Sequence, residues 1–296
     1  MSEKKRILVT GGLGFVGSNL VDQLADLGHQ VTVIDNLCSE SSSRSYMRNE
    51  VQYWIDDVRN LDRQKYAGHK FDVVFHLAAL ARIQPSFSDP LSYLSSDVMG
   101  TAYALEYARG CGARVVYAGS SSAYGGPMLN PYAFAKYTGE QVCELYSSVY
   151  NMSTVTARFF NVYGTRQPTS GPYATVVGIF ERQSSLGVPL TVTGDGEQRR
   201  DFTHVSDIVE GLIALSKGEH RGEIYNLGSG KNYSINELAR MFGDKISYIP
   251  SRPGEARITL ADISKTTDTT GWKPRYSIED YAYQHMLYLR SHLKNS

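Results

Sequence analysis

The feature that most constrains this chain is a glycine run wedged between a strand and a helix. Residues 7–10 read as a short buried strand, which passes straight into Gly11-Gly12-Leu13-Gly14-Phe15-Val16-Gly17. Residues 14–27 then place Val16, Leu20, Val21, Leu24 and Leu27 on one stripe at helical spacing, and Gly28 stops the helix. At such a junction Gly11 permits the tight turn, Gly14 lets the backbone approach a pyrophosphate, and Gly17 lets helix and strand pack closely. The unpaired amides and partial positive charge of the helix start, carried by Phe15, Val16 and Gly17, suit an anion. An acidic residue belongs about twenty positions on, at the end of the next strand, and Asp35 follows Val31-Thr32-Val33-Ile34 there. Its carboxylate suits ribose hydroxyls and repels a 2′-phosphate, so the sequence predicts NAD rather than NADP.

Further strand patterns lie at 51–55, 73–77, 114–118 and 154–158, with long helical patterns at 91–109 and 132–150. Continuous apolar strands alternating with helices imply a parallel sheet covered on both faces. The expected fold class is α/β: a Rossmann-type doubly wound parallel sheet with a smaller, mixed α/β C-terminal substrate domain. The second half reads as helix at 173–186, strand at 190–193, helix at 205–215, strand at 224–227, and helices at 235–242 and 277–292. Gly and Pro cluster at 164–172, 194–196 and 250–254, as loops around a cleft do. The expected division is a nucleotide-binding domain at 1–165, rejoined by 203–228, and a substrate domain at 166–202 and 229–296.

Thirty Lys plus Arg balance thirty Asp plus Glu, which leaves no basic field for nucleic acid or a membrane surface. No apolar stretch approaches the ~20 residues of a membrane span. The charged start Met-Ser-Glu-Lys-Lys-Arg leads into glycines, not into an apolar run with a cleavage site, so the expectation is a cytoplasmic protein. Cys38, Cys111 and Cys143 are widely spaced and form no disulfide framework or metal-ligand pattern.

Tyr132 and Lys136 stand four apart in a helical pattern, so both project from one face. A phenol with a pKa of about 10 is a poor base at neutral pH. A nearby ammonium and the positive ring of a nicotinamide would favour the phenolate. Lys136 could also donate to the nicotinamide ribose. Upstream, Gly119-Ser120-Ser121-Ser122-Ala123-Tyr124-Gly125 follows the strand at 114–118, on the sheet edge where ligands bind in such folds. A serine hydroxyl there can share a hydrogen bond with a substrate hydroxyl.

The motifs GGLGFVG, Asp35-Asn36-Leu37, Asp57-Val58, His76-Leu77-Ala78-Ala79, SSSAYG and YAFAK resemble the extended short-chain dehydrogenases/reductases, and more narrowly the NDP-sugar epimerases and dehydratases. The likeness continues through residues 158–164, 194–202, 252–255, 261–265 and Gly271-Trp272, nearly the whole chain. It implies NAD as cofactor, with Asn36, Asp57 and Val58 on the adenosine side, and Leu77, Ala78, Ala79 and Phe159 toward the nicotinamide. It implies Ser120, Tyr132 and Lys136 as the catalytic set. Ser122, Asn161, Arg200, Arg252 and Thr259 would face the nucleotide sugar, with Asn161 and the two arginines on its diphosphate. In the family the helices matching 91–109 and 132–150 pair two subunits, so a homodimer is expected.

The family divides at the triplet that Ser120 opens. The 4,6-dehydratases resemble Thr-Asp-Glu there, and the decarboxylases carry a glutamate in the third place. Here Ser120-Ser121-Ser122 has no carboxylate. The expected reaction is therefore C4 epimerisation through a transient 4-keto sugar, with a UDP-sugar (glucose/galactose, N-acetylhexosamine or uronate) as substrate. The alternatives are a dehydratase, decarboxylase or 4-reductase of the same family and, in another class, a non-catalytic NAD-binding sensor. The family places a size-determining residue seven positions after Arg252. Here it is Thr259, and a small residue would admit N-acetylated hexoses. Two departures stand out. Only seven residues separate Tyr124 from Tyr132, where the family carries a longer loop, and Asp97 replaces an asparagine near the cofactor. His76 reads as a packing residue.

Overall fold

The computed structural model describes residues 3–39 and 42–293. The strands run in chain order as β1 (Arg6–Thr10), β2 (Gln30–Asp35), β3 (Gln52–Ile55), β4 (Val73–His76), β5 (Arg114–Ser120) and β6 (Thr154–Phe159). They continue with β7 (Asn161–Tyr163), β8 (Leu190–Thr193), β9 (Arg199–His204), β10 (Arg221–Leu227), β11 (Asn232–Ser234) and β12 (Ile246–Ile249). Seven of them form one sheet in the order β10-β6-β5-β4-β1-β2-β3, parallel throughout. The order reverses direction at β1, and the crevice beside such a reversal is where ligands enter these sheets.

Both faces of the sheet are covered, which is why its strands read as unbroken apolar runs. In β1, Ile7 and Val9 enter one core with the helix Phe15–Asp26 and the helix Val205–Leu215, while Leu8 enters the opposite core with residues of the helix Gly100–Cys111. In β5, Val116 joins the first core and Val115 and Tyr117 the second. A third core gathers Phe180, Val192, Phe202, Leu238 and Phe242 from the second half of the chain. There β9 pairs antiparallel with β11 and parallel with β7, and β12 pairs parallel with β8.

The helix expected at 91–109 is broken. A short helix, Pro90–Tyr93, leads into a π-helical segment, Leu94–Met99, before the helix Gly100–Cys111 begins. The wide turn carries Asp97 inward. Its Oδ1 accepts the amide of Leu80 at 2.8 Å, and its carbonyl accepts the Thr101 hydroxyl at 2.5 Å. Strand β5 runs two residues beyond its expected end, because the ladder with β6 continues to Ser120 opposite Phe159. The helix of the second half starts at Val176, not 173. Strands β7, β9, β11 and β12 were not anticipated.

Candidate active site

One cavity of about 1180 Å³ opens at the carboxyl ends of β1, β4, β5 and β6 and extends into the second half of the chain. Every residue that the sequence reading placed at cofactor or substrate lines it, from Gly11 through to Thr259 in chain order. The Gly-Pro loops at 164–172 and 250–254 contribute to the wall, whereas Gly194 and Gly196 do not. Among the described residues, no group of three His, Cys, Asp or Glu side chains is placed to hold a metal ion, and no helix is long and apolar enough to cross a membrane.

The glycines of the first loop are needed for different reasons. Gly11 has φ +70°, and a Cβ on it would lie 2.7 Å from the Ala78 nitrogen. A Cβ on Gly17 would lie 2.1 Å from the Gly11 carbonyl oxygen. Both are demanded by the fold itself. Gly14 has an ordinary φ of −79°, and its Cβ would meet only the Gly11 oxygen at 3.4 Å and Ser42 Oγ at 3.9 Å. Packing does not require a glycine there, so the space it leaves is a cradle on the cavity side. Gly14 caps the helix Phe15–Asp26 without a side-chain bond, and the first turn carries no acid. The amides of Phe15, Val16 and Gly17 thus face the cavity without intrahelical acceptors. This is a fit for a pyrophosphate.

Asp35 ends β2 and is 7 % exposed. Its carboxylate accepts the amides of Leu13 (2.9 Å) and Leu37 (2.8 Å) and so clamps the glycine loop. Burial raises its pKa, and those two bonds with one from Ser42 pull it back. Those three bonds leave the carboxylate one acceptor site for a hydroxyl donor. Asp57 is largely committed. Arg59 forks onto both its oxygens at 2.8 Å, Asn36 donates to Oδ2 at 2.9 Å, and the guanidinium is the main reason its pKa is lowered.

At the cavity floor Tyr132 donates to Ser120 Oγ at 3.3 Å, and Ser122 donates to the same oxygen at 2.9 Å. The short connection after Tyr124 does not keep Tyr132 away. Asn130 caps the helix Pro131–Tyr150 through the Ala133 amide at 2.8 Å, and its side-chain nitrogen donates to the Gly254 carbonyl at 2.9 Å. This sets the first helical turn directly over the end of β5. Lys136 is 4 % exposed and donates to the Ala118 carbonyl at 2.7 Å, which leaves two of its N–H groups uncommitted to that acceptor.

The electrostatics differ from expectation. Burial raises the Tyr132 pKa. The Ser120 hydrogen bond and Arg82 lower it, Asp97 raises it, and Lys136 is not among the protein groups that set it. Burial also lowers the Lys136 pKa, with Asp97 opposing.

At the far end Arg200 is 9 % exposed on β9. It donates to the Arg199 carbonyl at 2.9 Å and meets Glu255 at 3.5 Å. Burial lowers its pKa, with Glu255 opposing. Arg252 is exposed, and no ion pair forms on it among the described residues. Its loop is tied to the first half by Gln84, which donates to the Pro253 carbonyl at 3.0 Å. Asn161 begins β7 and faces the cavity. Thr259 is buried, and its Oγ1 finds no partner.

Three features escaped the sequence. Arg82 lies at the cavity wall near Tyr132, in a segment with no periodic signal. Arg158 pairs with Glu140 through two bonds, 2.9 and 2.6 Å, beneath the end of β5. The Asp97 carboxyl is 1 % exposed with Oδ2 unpartnered, and burial lifts its pKa to about 6. It stood out in the sequence only as a departure. His76 bonds Thr10 at 2.7 Å and Thr101 at 3.0 Å, and burial drops its pKa to about 3, which suits a neutral packing residue.

The site and fold have close parallels. The model of the NAD dependent epimerase/dehydratase family matches residues 7–228. The chain is 31 % identical, over 320 aligned positions, to UDP-glucuronic acid decarboxylase 1 of Xenopus tropicalis, covering 99 % of this chain and 74 % of that protein. It is similar to the UDP-glucose 4-epimerase of Thermotoga maritima, solved with UDP-glucose, at TM-score 0.90 and 28 % identity, covering 97 % and 99 % of the two chains. It is also similar to the UDP-glucuronic acid 4-epimerase of Bacillus cereus, solved with UDP-glucuronic acid and NAD, at TM-score 0.86 and 28 % identity, with coverage of 97 % and 99 %.

Proposed function

Because the chain belongs to the NAD dependent epimerase/dehydratase family, we propose that it inverts the C4 configuration of a nucleotide sugar, with a UDP-hexose, its N-acetyl form or its uronate as substrate. One observation carries the reading. Tyr132 reaches Ser120 at 3.3 Å on the cavity floor, in a triplet without a carboxylate. Loss of water from the sugar needs an acid at a second position, and Ser120, Ser121 and Ser122 offer only hydroxyls. The relatives include decarboxylases, but the glutamate that those carry in the triplet is Ser122 here.

NAD fits the cradle of Gly14, the amides of Phe15, Val16 and Gly17, and the carboxylate of Asp35. Asn36, Asp57, Val58, Leu77, Ala78, Ala79 and Phe159 complete its walls. Bound there, it supplies a two-electron acceptor that returns the same electrons, so a C4 alcohol can become a ketone and be restored with the opposite configuration. Tyr132 takes the C4 hydroxyl proton and later returns it, while Ser120 holds that hydroxyl in line. Lys136, anchored on Ala118, offers its remaining N–H groups to the ribose. Asn161, Arg200 and Arg252 hold the diphosphate while the sugar turns over to present its other face, and Thr259 leaves room at C2. Orientation supplies much of the rate. In this reading residues 1–165 with 203–228 carry the cofactor, and 166–202 with 229–296 carry the sugar.

A Tyr132→Phe variant should bind the nucleotide sugar yet turn over at least ~100-fold more slowly, the usual size of an acid–base contribution. Near-normal turnover would refute the assignment. Net NADH release during turnover would favour an enzyme that only oxidises C4, and net NADH consumption would favour a 4-reductase. We also expect a homodimer. Leu145 and Val149 of the helix Pro131–Tyr150 stand 53 % and 61 % exposed, as a surface awaiting a second copy does. Sedimentation equilibrium at a single monomeric mass would count against it.

A further inference from the structure

The cavity holds a cation that the proposed chemistry does not use. Arg82 precedes the helix Ile83–Ser88 and lines the wall beside Tyr132. Its Nε and Nη2 both donate to the Tyr173 carbonyl, the former at 2.8 Å, and Nη1 donates to the Ala81 carbonyl at 2.9 Å. Among the described residues no carboxylate pairs with it, and the groups that act on its charge are the hydroxyls of Tyr132, Tyr93 and Tyr173. Burial lowers its pKa, with those phenols opposing. A guanidinium held among protein atoms without a counter-ion is costly unless an anion arrives. Three donated bonds leave two of its five N–H groups free to form a fork.

The position identifies which part of a ligand it meets. Arg200 has Glu255 and Arg257 as its charged neighbours and lies toward the 252–259 segment. The helix Ile83–Ser88 that Arg82 leads packs against the helix Pro131–Tyr150, whose first turn carries Tyr132, and both side chains line the cavity, so Arg82 lies where the hexose reacts rather than where the diphosphate is held. The carboxylates that line the cavity are accounted for elsewhere. Asp35 holds the glycine loop, Asp56 holds Lys65 and Tyr66, Asp57 holds Arg59, Asp89 caps Ser92, and Glu255 faces Arg200.

We infer that Arg82 is the receptor for a carboxylate on the sugar itself, which makes the substrate a nucleotide hexuronate rather than a neutral hexose. The inference rests on the proposed C4 chemistry for its setting but makes its own demand, a preference for negative charge at the hexose end. Charge-assisted bonds of this kind set the scale at about 10-fold to 100-fold in selectivity.

The test uses NAD-loaded full-length protein with UDP-glucuronic acid, UDP-glucose and UDP-N-acetylglucosamine. Wild type should show the highest kcat/KM with UDP-glucuronic acid. Arg82→Gln should cut the UDP-glucuronic acid to UDP-glucose ratio by about 10-fold or more, and Arg82→Lys, which keeps the charge but not the fork, should retain part of it. Calorimetric binding to the Tyr132→Phe variant should show the same order. A wild type that favours UDP-glucose overturns the inference while leaving the epimerase reading intact. Equal losses on both sugars in Arg82→Gln also overturn it, since they would mean that Arg82 only braces the loop carrying Tyr173. If no sugar is converted but UDP-glucuronic acid still binds preferentially through Arg82, the epimerase reading fails and this one stands.

Discussion

Replacing Asp97 by asparagine tests the electrostatics beneath the cavity floor. Its carboxyl is 1 % exposed, Oδ1 accepts one amide, and Oδ2 accepts nothing. Burial is the main cause that lifts its pKa from 3.8 to about 6, while Lys136, the Leu80 amide and Ser96 oppose. Taking 3.8 for the unfolded chain, the shift is 6 − 3.8, about 2 units, and at about 1.4 kcal/mol per unit it corresponds to roughly 3 kcal/mol. The folded state binds this proton more tightly than the unfolded state. The associated stability is therefore fully present below about pH 4 and is lost as pH rises through about 6. Asp97→Asn removes the titration. Its amide oxygen can still accept the Leu80 N–H, and the cost of orienting the new NH₂ group, on the order of 1 kcal/mol, does not vary with pH. Urea unfolding of both proteins from pH 4 to 7 should show the difference, variant minus wild type, rising by about 3 kcal/mol across the window. A difference that stays level within about 1 kcal/mol would refute the account of a buried, half-satisfied carboxyl.

Three further outcomes follow from the glycine loop and the buried ion pair. Gly17→Ala drives a methyl to 2.1 Å from the Gly11 oxygen, so both thermal stability and NAD affinity should fall, the former by about 1–3 kcal/mol. Gly14→Ala meets nothing closer than 3.4 Å and should keep its melting temperature while losing NAD affinity by titration calorimetry. Glu140→Met strands Arg158, whose side chain is 14 % exposed, and should cost about 3–5 kcal/mol in denaturant unfolding.

The first βαβ unit was legible because its signals are local: an apolar strand, glycines at fixed offsets, and an acid at the end of β2. Helical spacing singled out Tyr132 with Lys136, and the end of the strand at 114–118 singled out the serines, but nothing in the spacing of Ser120 and Tyr132 reveals that Asn130 and Gly254 bring them together. The break at Leu94–Met99 was hidden because Asp97 is satisfied by Leu80, seventeen positions away, and helical periodicity carries no record of such a bond. β9 was hidden because all its residues from Arg199 to His204 except Phe202 are polar, yet most are buried, a pattern that tertiary partners create. Arg82 is anchored on Tyr173, ninety-one positions on, and no local rule points there.

The placement of β10 at the edge of the large sheet, paired with β6, bears on how the protein is made. When a ribosome has released the first 165 residues, six of the seven strands exist, but β6 has no outer neighbour. Its backbone donors and acceptors stay open until more than fifty further residues have emerged and Arg221–Leu227 can dock. During that interval the nascent chain carries a bare parallel edge, the kind that invites wrong partners. A fragment cut after residue 165 would keep that edge permanently. Expression of residues 1–165 alone therefore calls for the return segment to be grafted on.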